Sequence, residues 1–155
     1  MKLRSFLLLF IFFTSISCTK KDTYLQYFRV NESGWGKDSL FVFDIPVDDS
    51  VATYNLYVNI RNGGEYPYQN LWLFLEKITP DSIISRDTIE FYLANNRGKW
   101  LGKGIGSTFE MPVFYQQNIK FQTTGTYRYK ITQGMRDSVL VGINDVGMRL
   151  EKVDK

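Results

Sequence analysis

The segment YNLYVNIRNGGEYPYQNLWLFLE, Tyr54–Glu76, decides the fold class. In its first part Tyr54, Leu56, Val58 and Ile60 fall on one side, and Asn55, Tyr57, Asn59 and Arg61 on the other. An apolar–polar alternation with a period of two marks a half-buried β-strand, because successive side chains leave opposite faces of the pleat. Asn62-Gly63-Gly64 then interrupts the pattern, as residues that accept positive φ do at a turn. The last part, Leu71–Leu75, is apolar on both sides. With Leu71, Leu73 and Leu75 opposed to Trp72 and Phe74, it is expected to be a central strand.

The alternation continues outward in both directions. Upstream, Phe41, Phe43 and Ile45 share a face until Pro46 and Asp48-Asp49-Ser50 stop the strand. Downstream, Pro80-Asp81-Ser82 marks a turn, and Ile89, Phe91 and Leu93 alternate as far as Asn95-Asn96-Arg97-Gly98. Tyr127, Tyr129 and Ile131 face away from Arg128, Lys130 and Thr132. Val146, Met148 and Leu150 face away from Gly147, Arg149 and Glu151. No stretch carries a capped helical stripe. Strands recurring every ~10–15 residues with turn residues between them predict an all-β fold, an antiparallel β-sandwich. A jelly-roll or immunoglobulin-like topology fits equally, since alternation does not reveal strand order. Aromatics at 16% of residues suit such a pleated, half-buried surface.

The first 17 residues read differently. Lys2 and Arg4 open the chain, and Phe6–Phe13 is an unbroken apolar run. That run has the length of a signal-peptide core and falls short of the about 20 residues a membrane-spanning helix needs. Thr14-Ser15-Ile16-Ser17 leads to Cys18, the sole cysteine. The pattern resembles a bacterial lipobox, although Ser15 stands where that pattern favours Leu. Residues 1–17 are therefore expected to be a cleaved lipoprotein signal peptide, 18–22 a lipidated tether and 23–155 a single sandwich domain. Acyl chains on Cys18 tie such a protein to a bilayer, stably where there are two or more. Thr19-Lys20-Lys21 follows Cys18, with neither an Asp directly after it nor an acidic run. The expected location is the outer membrane, facing the periplasm.

Composition narrows the function classes. The 155 residues include 19 basic and 16 acidic side chains, a net charge of +3. Once the leader takes Lys2 and Arg4 with it, 17 basic residues face 16 acidic ones, a balance of +1. That is no footprint for nucleic acid. The chain has no histidine, which removes Ser-His-Asp and Cys-His nucleophile arrangements and most zinc and copper sites. No enzyme activity, metal or cofactor is expected. GKWLGKGIGS, Gly98–Ser107, fails both the P-loop and the dinucleotide-binding spacing. It reads as a loop presenting Lys99, Trp100 and Lys103. Asp44, Asp48, Asp49, Asp81, Asp87, Glu90 and Glu110 are scattered, with no spacing that marks a calcium loop or a glycosidase pair. Tyr66 and Tyr68, either side of Pro67 and close to Asn62, serve either as core and turn residues or as a binding surface.

Three motifs stand in order behind Cys18: YNLYVNIRNGGEYPYQNLWLFLE, GKWLGKGIGS, and ITQGMRD at Ile131–Asp137. Together they resemble the family of gliding-motility lipoproteins GldH of the Bacteroidetes, over most of the mature chain. The resemblance implies an envelope lipoprotein required for gliding and for the linked type IX secretion apparatus, without catalytic residues. It would touch the bilayer through Cys18 and touch other gliding and secretion proteins through its domain. The contact is expected on residues 62–70 and 98–106, through Asn62, Tyr66, Tyr68, Lys99, Trp100 and Lys103. An envelope glycan stacked on the same aromatics is the alternative.

Overall fold

The computed structural model describes residues 22–153. The expected leader, Cys18 and the start of the tether lie outside them. Eleven strands follow one another: β1 (Asp22–Arg29), β2 (Trp35–Gly36), β3 (Phe41–Val47), β4 (Tyr54–Gly63), β5 (Asn70–Ile78), β6 (Ile84–Tyr92), β7 (Lys103–Ile105), β8 (Thr108–Ile119), β9 (Gly125–Gln133), β10 (Val139–Leu140) and β11 (Ile143–Lys152). There is no helix among the described residues.

One sheet has the order β1-β11-β4-β8-β7 and the other β3-β9-β5-β6, while β2 and β10 pair as a separate ribbon. Every pairing is antiparallel. Setting aside β2, β7 and β10, the first sheet takes the first, eighth, third and sixth long strands, and the second takes the second, seventh, fourth and fifth. That is the jelly-roll order, and it decides against the immunoglobulin-like alternative. Leu56, Val58 and Ile60 of β4 and Val146, Met148 and Leu150 of β11 meet Phe43, Ile45, Leu71, Leu73, Tyr129 and Ile131 in one core. Burying each such side chain is worth about 1.5–3 kcal/mol before chain entropy is counted. Trp35 is also fully buried, with its Nε1 donating to the Ser39 carbonyl at 3.1 Å.

Several expectations need correction. β3 continues through Pro46 to Val47, which an edge strand tolerates because its outer N–H positions need no partner. Asn62 and Gly63 do not form the turn; they are the last residues of β4, opposite Phe109 and Thr108. Neither Gly63 nor Gly64 has positive φ. β4 is not half-buried, for Tyr57 and Asn59 on its outer side are buried too. Aromatic and charged side chains roof that side. Arg61 lies over the Tyr27 ring and Arg149 over the Tyr57 ring, each 4.0 Å from the centroid. Gly147 makes room for Tyr27, whose ring would stand 2.6 Å from a Cβ there. β5 is central, as expected, yet Trp72 and Phe74 are 38% and 47% exposed, so only its leucine face is core.

The registers also define two ends. Asp22, Tyr54, Ile119 and Lys152 share one end of the first sheet, and Val47, Ile78, Ile84 and Gly125 share one end of the second. The short β3–β4 loop joins these two, so they form a single end, where the chain enters the domain. Arg29, Gly63, Asn70, Tyr92, Thr108 and Gln133 lie at the far end. An eight-residue strand separates the two by roughly 25 Å.

Candidate functional site

The β4–β5 turn, residues 64–69, crosses from one sheet to the other at the far end. Tyr66 in this turn is 3% exposed. Its hydroxyl donates to the Asn70 carbonyl at 2.7 Å, and its ring centroid lies 5.9 Å from Tyr68 and 6.3 Å from Trp100. Trp100 continues the cluster to Phe109 at 5.9 Å. Burial raises the Tyr66 pKa above that of a free phenol, as the nearby acid Asp137 also does, so the ring stays neutral. Gly142, with φ +83°, passes beneath, where a Cβ would lie 2.6 Å from the Tyr66 backbone nitrogen. Any L-residue other than glycine would be strained there twice over.

Two of the expected surface residues are therefore interior. Tyr66 is the floor of the far end rather than its surface. Asn62 is buried as well, its Nδ2 donating to the Gly63 carbonyl at 3.0 Å. The parity that turns Ile60 inward extends two residues to Asn62, a signal already present in the sequence. Tyr68 is accessible, and its hydroxyl donates to Asp137 Oδ2 at 2.8 Å, a bond that raises its pKa. Trp100 is half-buried, while Lys99 and Lys103 are exposed. The stretch from Asn95 to Lys99 is a tight turn, in which Asn95 Oδ1 accepts from the N–H groups of Arg97 and Lys99.

Lys103 belongs to a different feature. With Arg61, Ile105, Glu110 and Pro112 it lines an open cleft of ≈ 720 Å³ on the outer face of the first sheet. There Arg61 Nε donates to Glu110 Oε2 at 2.8 Å and the Tyr27 hydroxyl to Glu110 Oε1 at 2.7 Å. Burial pushes the Glu110 carboxyl up, but the hydrogen bonds from Tyr27 and Arg61 and the arginine charges outweigh it, and its pKa is lowered. A carboxylate with a folded pKa below its unfolded value contributes stability above the unfolded value and loses it as pH falls through the folded one. Glu110→Gln should therefore flatten the fall in stability below about pH 4.5, as urea denaturation across that range would show. An unchanged acid limb would mean that the Arg61–Glu110 pair does not hold the fold.

The surface that sequence reading missed is on the second sheet. Trp72 and Phe74 project from β5 beside Tyr68, Thr88, Met135 and Arg136, around a groove of ≈ 460 Å³. Gly134 keeps the groove open: its N–H donates to the Trp72 carbonyl at 2.7 Å, and a Cβ there would meet the Phe74 ring at 3.3 Å. Met135 Sδ accepts from the Trp72 N–H at 3.3 Å. Alternation of leucines with aromatics along β5 was visible. What it could not reveal was that the aromatic side is left uncovered. Among the described residues no three Asp, Glu, His or Cys side chains gather as a metal ion would need.

The class of protein these features define is a jelly-roll domain with an exposed aromatic face near the end opposite its point of entry. The chain belongs to the GldH lipoprotein family, whose model matches residues 22–150. It is 40% identical to the gliding motility lipoprotein GldH homolog of Christiangramia forsetii, over 98% of this chain and 99% of that one. It is 39% identical to the gliding motility lipoprotein GldH of Flavobacterium johnsoniae, over 89% of each chain. Among solved structures, the infectious bursal disease virus VP2 subviral particle aligns with 87% of this chain and 31% of its own, at 13% identity and a TM-score of 0.35. That likeness is too slight to assign anything to this chain.

Proposed function

We propose that this protein is an envelope-anchored part of the gliding apparatus, acting through protein contacts and not through catalysis. Acylated Cys18 holds it to the periplasmic face of the outer membrane, and its partners belong to the gliding and linked type IX secretion machinery. One observation carries the contact reading: Tyr68, Trp72 and Phe74 are exposed on one groove that reaches the far end. Tyr, Trp and Arg dominate the energetics of protein interfaces, and Arg136 lines the same groove. Lys99 and Trp100 stand on another loop of the same end, Trp100 with its ring 6.3 Å from that of Tyr66, which is itself 5.9 Å from Tyr68. The names of the two relatives support the place in gliding.

Deletion of the gene in its host, complemented with wild type or Cys18→Ser, tests the reading. Colony spreading and secreted-protein levels should both fall and return only with the lipidated form. A deletion strain that spreads and secretes normally sinks the proposal, and full rescue by Cys18→Ser removes the anchor from it. A glycan ligand has one observation in its favour. Asn70 Nδ2 donates to Glu90 Oε1 at 2.6 Å on the strand pair that carries Trp72, which sets polar groups beside a stacking ring. Binding to envelope polysaccharide by wild type, lost in Trp72→Ala, would move that reading ahead.

A further inference from the structure

The end at which the chain enters the domain holds out three aliphatic side chains. Val51 in the β3–β4 loop is 79% exposed, and Ile83 and Ile84 at the β5–β6 turn are 60% and 55% exposed. Neither loop is loosely built. Asp49 Oδ1 accepts from the N–H groups of Val51 and Ala52 at 2.9 and 3.1 Å, while Oδ2 takes Lys152 Nζ at 2.8 Å. The Tyr54 hydroxyl donates to the Asp49 carbonyl at 2.8 Å. In the other loop the Thr79 N–H donates to the Ile83 carbonyl at 3.0 Å, and the Ile83 N–H to Thr79 Oγ1 at 3.1 Å. Both turns thus satisfy much of their own backbone and display apolar tips without needing to be ordered by a partner.

What lies in front of those tips follows from the length of the chain before them. Cys18 precedes Asp22 by four residues, and four residues reach at most about 14 Å. With Cys18 acylated, this end cannot leave the bilayer surface by more than that. The rim's charges are mixed, Asp48, Asp49 and Asp81 against Lys120 and Lys152, with Asp49 and Lys152 paired to each other, so apolar contact is what it offers. We propose that Val51, Ile83 and Ile84 rest in the interfacial layer of the phospholipid bilayer that carries the anchor. The two loops and the tether at Asp22 make three supports, which stand the sandwich upright and turn the far end away from the membrane. The inference rests on the lipid-anchored reading above.

The test uses the full lipidated chain in vesicles of phosphatidylethanolamine and phosphatidylglycerol. Val51→Cys, Ile83→Cys and Ile105→Cys each supply one thiol for an environment-sensitive fluorophore, since Cys18 is acylated. Ile105 is 96% exposed and stands at the far end. Labels at positions 51 and 83 should shift to the blue and be quenched by a spin label carried on lipid, and the label at 105 should do neither. Equal quenching at all three, or at none, overturns the proposal while leaving the anchor intact. Failure of the wild-type chain to float with the vesicles overturns the anchor reading itself, and this one with it.

Discussion

Replacing Tyr66 by alanine is expected to remove about 3–5 kcal/mol of folding stability, as truncating a buried aromatic ring generally does. The ring is almost wholly enclosed and touches Tyr68 and Trp100, and its hydroxyl caps the Asn70 carbonyl. Little can collapse into the space it leaves. The Gly142 backbone is already pressed against the Tyr66 main chain, and the Gly63 N–H is tied to the Gly142 carbonyl at 2.8 Å. Tyr66→Phe keeps the ring and loses one hydrogen bond, so its cost should be only about 1 kcal/mol. Urea denaturation of both variants measures the difference. A Tyr66→Ala protein as stable as wild type would show that the β4–β5 turn does not depend on its floor.

The double substitution Trp72→Ala with Phe74→Ala is expected to do the reverse. Both rings lie on the uncovered side of β5, so stability should move little, by about 1 kcal/mol at most for two surface substitutions together. Colony spreading in a deletion strain complemented with this variant should nevertheless be lost. A contact patch concentrates its binding energy in a few aromatic and arginine side chains, and removing two of them leaves the scaffold without its grip. A folded variant at normal abundance that still spreads would show that the partner binds elsewhere. The pair of experiments separates two failures that look alike in a motility assay, an unfolded domain and a folded domain with nothing to hold.

Much of this architecture could be read from alternation, and where the reading failed the reasons are physical. β9 and β11 alternate cleanly because their outer sides carry charged or small residues. β8 does not. Phe109, Met111, Val113 and Tyr115 face inward, but Pro112 and Phe114 on the other side are hardly more polar. There the Phe114 ring sits 4.4 Å from Tyr57, inside the aromatic layer that roofs the first sheet. A sheet that carries aromatic and aliphatic side chains on its outer side as well loses the contrast on which the pattern depends. β1 is obscured in the same way by Leu25 and Tyr27. The candidate surface was misread for a complementary reason. Tyr66 and Asn62 look like loop residues in sequence, yet one packs beneath its turn and the other completes the inward row of β4. Trp72 and Phe74 look like core because nothing in a single chain states which of two apolar faces will be covered. That decision belongs to strand order, which placed the aromatic side of β5 away from the first sheet.

The pairing of β1 with β11 bears on how the domain would take a mechanical load. β1 is the strand next to the tether, it runs from the entry end to the far end, and seven register pairs hold it to β11 between Asp22 and Arg29. A pull between the membrane anchor and a partner gripping the far end acts along β1, parallel to its axis. The strand is then sheared, not peeled: its hydrogen bonds stretch together, and none can open before its neighbours. Drawn from the opposite end, the same ladder would unzip one bond at a time. The jelly-roll order thus gives the tethered strand the stronger of the two ways in which a sheet can resist being pulled apart.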